Sequence, residues 1–271
     1  MSEPAPVLDG FERFTFSSDG KTRDVYRTGS GPAVIVIAEI PGITPKVAEF
    51  GLRVAAIGCT AVLPRLFGVP GKRMTAGYVM QSIGPACVSR EFSCFASRKT
   101  SPVTVWLRAL ARQMHAECGG PGVGAVGMCF TGGFALAMMV DDIVLAPVLS
   151  QPALPFPITR GNRRDLGISD EDLVRVKERC AAEEDLCLLG LRFTHDRNVP
   201  AERFQRLREE LGDKFVAVEL DSSPGNPHGH PKAAHSVLTN HLVDEPGTPT
   251  RDALDKVLDL FRSRLLTNSP G

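Results

Sequence analysis

Neither sign of charge dominates this chain. Lys plus Arg and Asp plus Glu each number 31, a formal net charge of zero over 271 residues, so the basic face that nucleic-acid binding requires is missing. No run approaches the roughly 20 apolar residues that cross a bilayer. The opening MSEPAPVLDG lacks the basic and apolar segments of a signal peptide. These absences predict a soluble, cytoplasmic protein whose partner is a small molecule, with no nucleic acid and no membrane. The seven cysteines, at 59, 87, 94, 118, 129, 180 and 187, are odd in number and show no CxxC spacing, which argues against a disulfide framework or a zinc site. Internal repeats and low-complexity tracts are also missing, and nothing marks a second domain.

What is present is a 43% hydrophobic composition, enough to bury one α/β core over residues 1–271. FERFTF and TRDVYR alternate as an antiparallel hairpin does, and AVIVIAE at 33–39 is an unbroken apolar run suited to a strand buried on both faces. Val47, Phe50, Val54 and Ile57 fall at helical spacing before a strand TAVLP at 60–64. The alternation continues with a helix near 103–117, a strand at 122–128, a helix after Cys129 and a strand at 143–146. Further on, a polar helix at 169–182, a strand at 186–191, a helix near 201–211, a strand at 215–220 and a helix at 252–266 complete the pattern. Alternating strands and helices predict a mostly parallel sheet covered on both faces. Residues 68–100 carry no sustained period and read as an irregular insertion, a candidate pocket wall.

The chemistry concentrates at Gly127-Met128-Cys129-Phe130-Thr131-Gly132-Gly133. A strand precedes it and a helix follows, the context in which a nucleophile elbow exposes one side chain. By itself the turn also fits a structural cysteine or a phosphate cradle. An acid after a later strand and a histidine after the last strand distinguish the hydrolase arrangement. Asp196 follows the strand at 186–191, where it could also cap a helix. Of His228, His230, His235 and His241 in the final loop, His235 is the choice. A zinc site on His228, His230 and His235 is the alternative.

The ordered set of VIVIAEIPGI, GMCFTGG, DRNVP and AHSV resembles the dienelactone hydrolase family. The resemblance implies an α/β-hydrolase fold, no metal or organic cofactor, and opening of an ester or lactone through a Cys129-His235-Asp196 triad. It implies that Glu39 pairs with the thiol and helps deprotonate it when substrate binds, and that the backbone N–H groups of Ile40 and Phe130 form the oxyanion hole. Thr131 stands where the family usually has glycine, which predicts a slightly altered turn. Thr239 occupies the position of the family's carboxylate-binding arginine, so Arg98 becomes the candidate substitute, with Arg90 and Lys99 inseparable from it by sequence. The competing functions are a broader carboxylesterase or thioesterase and a noncatalytic ligand-binding or redox-sensing homologue.

Overall fold

The computed structural model describes residues 8–89, 91–92 and 98–266, with the side chain of Val88 excepted. Eight strands form one sheet: β1 (Glu12–Ser18), β2 (Lys21–Gly29), β3 (Ala33–Ile37), β4 (Thr60–Pro64), β5 (Val123–Met128), β6 (Val144–Ser150), β7 (Leu188–Phe193) and β8 (Phe215–Leu220). Their spatial order is β1-β2-β4-β3-β5-β6-β7-β8. The β1–β2 and β2–β4 pairs are antiparallel and the rest are parallel. The helices are α1 (Pro45–Ala56), α2 (Ala76–Val88), α3 (Pro102–Cys118), α4 (Phe134–Met138), α5 (Arg160–Arg164), α6 (Asp170–Ala182), α7 (Ala201–Leu211) and α8 (Pro249–Leu265). This is an α/β-hydrolase fold.

The sheet has two buried faces because successive side chains of a strand point to opposite sides. In β3, Val34 and Val36 pack with Phe50 of α1 and Phe261 of α8, while Ala33, Ile35 and Ile37 pack with Trp106 and Leu110 of α3. That double burial explains the unbroken apolar run at 33–37. Strand order reverses around β3 and β5, and the crevice beyond their carboxyl ends is where such sheets place ligands. Among the described residues no helix is long and apolar enough to cross a membrane.

Three expectations need correction. Residues 68–100 contain the helix α2, capped by the Thr75 hydroxyl, which accepts from the Tyr78 N–H at 3.2 Å. Gly77, Gly84 and Pro85 interrupt its apolar period, so the pattern reads as irregular although Tyr78 and Ala86 are buried. The helix after Cys129 is a single 3-10 turn followed by the five-residue α4, because the chain turns at Asp141 to enter β6. Strand β7 begins two residues later than the apolar run LCLLGL and extends to Phe193, carrying Arg192 inside the sheet with its charge paired to Glu219 at 2.7 Å.

Candidate active site

At the end of β5 the backbone turns sharply enough to place Cys129 at φ 53°, a left-handed conformation that costs a non-glycine residue energy and is found where function demands it. Close approach makes the flanking glycines necessary. A Cβ on Gly127 would stand 2.3 Å from the Thr131 carbonyl oxygen, and one on Gly132 would stand 2.4 Å from the Pro152 Cα. Thr131 is fully buried and serves as a strap. Its hydroxyl donates to the Ile37 carbonyl at 2.8 Å and accepts from the Met128 N–H at 3.0 Å, tying the turn to the end of β3. The departure from glycine at 131 therefore adds a polar tie, and the tight approach falls to Gly127 and Gly132.

Asp196 follows β7 and His235 lies in the loop after β8. The His235 Nδ1–H donates to Asp196 Oδ2 at 2.5 Å, and the Asn198 N–H donates to Asp196 Oδ1 at 2.9 Å. His235 Nε2 is buried and, among the described residues, has no partner in hydrogen-bonding geometry. Burial pushes the imidazole pKa down. Interaction with the nearby Cys129 thiol and the bond to Asp196 outweigh it and hold the pKa well above its usual value of 6.5. His241 buttresses this loop: its Nδ1 accepts from the N–H groups of His235 at 3.3 Å and Ser236 at 3.1 Å.

Glu39, only 1% exposed, sits just past β3. Ser236 Oγ donates to its Oε2 at 2.6 Å and Gln151 Nε2 reaches the same oxygen at 3.4 Å. Thr239 Oγ1 donates to Oε1, which Asn240 Nδ2 also approaches at 3.4 Å. Four converging donors suit a carboxylate, an acceptor-only group. Among the described residues no hydrogen bond links Glu39 to Cys129, although both line one cavity of about 340 Å³. Its walls are Ile40, Met74, Val79, Ile83, Phe130, Ala153 and Phe156, with Asn198, His235, Ser236, Asn240 and His241 at the polar side. The loop carrying Ala153 and Phe156 is pinned from below by the buried Arg203, whose guanidinium donates to the carbonyls of Pro152, Pro155, Asn162 and Asp165. Burial lowers the Arg203 pKa to about 10, which leaves it charged at neutral pH.

Cys129, Asp196, His235, Glu39, Ile40 and Phe130 are thus brought to one place, while Arg98 is not. Its side chain is exposed and faces Asp170 at 3.7 Å, and its N–H donates to Asp165 at 3.1 Å, away from the cavity. That contact is an exposed ion pair with the first residue of α6. Lys99 is exposed and Arg90 lies outside the described residues. His230 packs edge-on to Phe193, with ring centres 5.1 Å apart, and His228 is exposed. Among the described residues no three His, Cys, Asp or Glu side chains are grouped so that they could hold a metal ion.

The sequence pattern of the Dienelactone hydrolase family matches residues 24–265. This chain belongs to the dienelactone hydrolase family. Membership makes it a hydrolase. Solved structures agree on the fold. A Klebsiella pneumoniae subsp. pneumoniae protein provisionally called a dienelactone hydrolase superposes with a TM-score of 0.63 at 17% identity, covering 93% of this chain and 97% of that one. A dienelactone hydrolase-like promiscuous phosphotriesterase from metagenomic libraries gives 0.62 at 16% identity, covering 94% and 98%. The Anabaena variabilis dienelactone hydrolase gives 0.58 at 15%, covering 94% and 99%. No curated protein sequence matches the chain.

Sequence reasoning missed Gln151, Ser236 and Asn240, and named His241 only as an alternative to His235. Gln151 had one readable signal, since it directly follows β6 as Cys129 follows β5, at the edge where α/β sheets place their sites. The other three sit in an irregular loop with no period to read.

Proposed function

We propose that the chain hydrolyses carboxylic ester bonds, lactones among them, by acyl transfer to Cys129. The supporting observation is the hydrogen-bonded His235–Asp196 pair beside a cysteine held at φ 53° over a shared cavity. A protonated His235 beside the sulfur would stabilise the thiolate, the nucleophilic form, by its charge. The sulfur attacks the ester carbonyl carbon, and the N–H groups of Ile40 and Phe130 receive the resulting oxyanion. As the C–O bond breaks, the His235 imidazolium protonates the departing alkoxide and leaves a thioester on Cys129. Neutral His235 then takes a proton from water, whose oxygen attacks the thioester. Collapse releases the carboxylic acid and returns the thiolate–imidazolium pair. Asp196 keeps the ring in the tautomer whose Nε2 faces the sulfur. Thioesters would pass through the same sequence, with a thiol as leaving group.

The test is hydrolysis of dienelactone, aryl esters and acyl thioesters by wild type and Cys129→Ala, with intact-protein mass spectrometry of a trapped acyl-enzyme. Cys129→Ala should lose about 10³-fold or more in kcat, and Cys129→Ser should also be poor because a hydroxyl is far less acidic. Near-wild-type turnover by Cys129→Ala, or an acyl adduct on another residue, would overturn the proposal.

A further inference from the structure

The walls of the Cys129 cavity combine an apolar surface with the carboxyl group of Glu39, which no Lys or Arg side chain faces among the described residues. Met74, Val79, Ile83, Phe130 and Phe156 supply the apolar area, and Val79 and Ile83 come from α2. Glu39 borders the same space, and its four hydrogen-bonding partners are two hydroxyls and two amides, none of them a cation. Among the described residues that line the cavity there is no Lys or Arg. The nearest recess with cations, shared through Met74 and Asn240, holds Lys46 and Arg73, and Lys46 is already paired with Glu49 at 2.9 Å.

We infer that the acyl substrate of this site is an uncharged ester with an apolar acyl chain, and that a chain ending in a carboxylate is rejected. The inference rests on the acyl-transfer reading above and specifies its substrate class. A carboxylate entering this space exchanges water for apolar walls and a like charge at Glu39, a cost that only a facing cation would offset. Thr239 cannot supply that cation: it is buried, and its hydroxyl is committed to Glu39. The apolar acyl chain, by contrast, gains from every contact with Val79, Ile83 and Phe156.

Three p-nitrophenyl esters with one leaving group separate charge from length: the butyrate, the hemisuccinate, and the succinate whose distal carboxyl is methylated. At pH 7.5, with Cys129→Ala as the blank for spontaneous hydrolysis, the butyrate and the methylated succinate should each exceed the hemisuccinate in kcat/KM by about tenfold or more. Ile83→Lys, on the outer helix α2, should narrow that ratio by bringing a cation to the wall. Equal or faster Cys129-dependent turnover of the hemisuccinate overturns the substrate class and leaves acyl transfer standing. If that turnover also falls in Arg73→Ala, Arg73 is the carboxylate's partner. An unchanged ratio in Ile83→Lys likewise counts against the electrostatic cause. Turnover of all three esters that does not depend on Cys129 defeats the acyl-transfer reading, and the substrate inference falls with it.

Discussion

Ser236, the residue after His235, donates to Glu39 Oε2 at 2.6 Å across 197 residues of sequence. The carboxylate at the end of β3 therefore anchors the loop that presents His235. A side chain expected to act on the thiol is, in this state, the centre of a polar cage that sets where the imidazole stands.

Glu39→Gln should therefore cost both stability and rate. The amide offers one acceptor oxygen in place of two and points an NH₂ at existing donors, a loss of about 2–3 kcal/mol on the scale of charge-assisted hydrogen bonds. Ser236→Ala should cost about 1–2 kcal/mol. Urea unfolding checks the stabilities, and single-turnover acylation per folded molecule should slow in Glu39→Gln more than hydrolysis of the acyl-enzyme does. Lost stability with intact acylation would leave Glu39 as an anchor alone.

His235 has a pKa raised above 6.5 in the folded protein, net of burial, by Cys129 and Asp196. A group raised in this way contributes stability that is complete below its unfolded value of about 6.5 and is lost as pH rises through the folded value. Asp196→Asn should lower the His235 titration midpoint and bring that loss to lower pH. The imidazole resonances in NMR titrations of the two proteins, read beside unfolding at several pH values, report it directly. An unshifted midpoint would show that the hydrogen bond to Asp196 does not set the proton affinity.

His241 titrates in the opposite sense. Burial first, and then the nearby His235, push its pKa below 6.5. Its stabilising contribution is complete above about 6.5 and lost as pH falls through the folded value, because Nδ1 must be unprotonated to accept from the His235 and Ser236 N–H groups. We expect His241→Ala to lower kcat by about tenfold through misplacement of His235. His241→Asn, which returns an acceptor oxygen, should recover part of it. Equal rates in the two variants would remove the positioning role.

Gly132→Ala places a Cβ 2.4 Å from the Pro152 Cα, a backbone atom that cannot step aside. It should destabilise the protein by about 1–3 kcal/mol or more and displace the elbow. Thermal unfolding and acylation should both suffer. A wild-type melting temperature would show that the 129–133 turn is looser than its contacts imply.

Periodicity located most of the framework. The runs at 60–64 and 215–220 coincide with β4 and β8, and the run at 33–39 overshoots β3 by two residues, because burial on a sheet face is written into neighbouring residues. The order of Cys129, Asp196 and His235 along the chain was legible for a similar reason, since each follows a strand that the sequence marks by an apolar run. Three-dimensional structure alone decided what these residues do to one another. The cage of Ser236, Thr239, Gln151 and Asn240 around Glu39 depends on loops joined across 112 to 201 residues. The same folding carried Arg98 to Asp170 and left the cavity walled by α2, a helix whose glycines and proline obscured its period. Local patterns encode backbone and burial, whereas the meeting of polar groups is set by long-range register that no window of sequence contains.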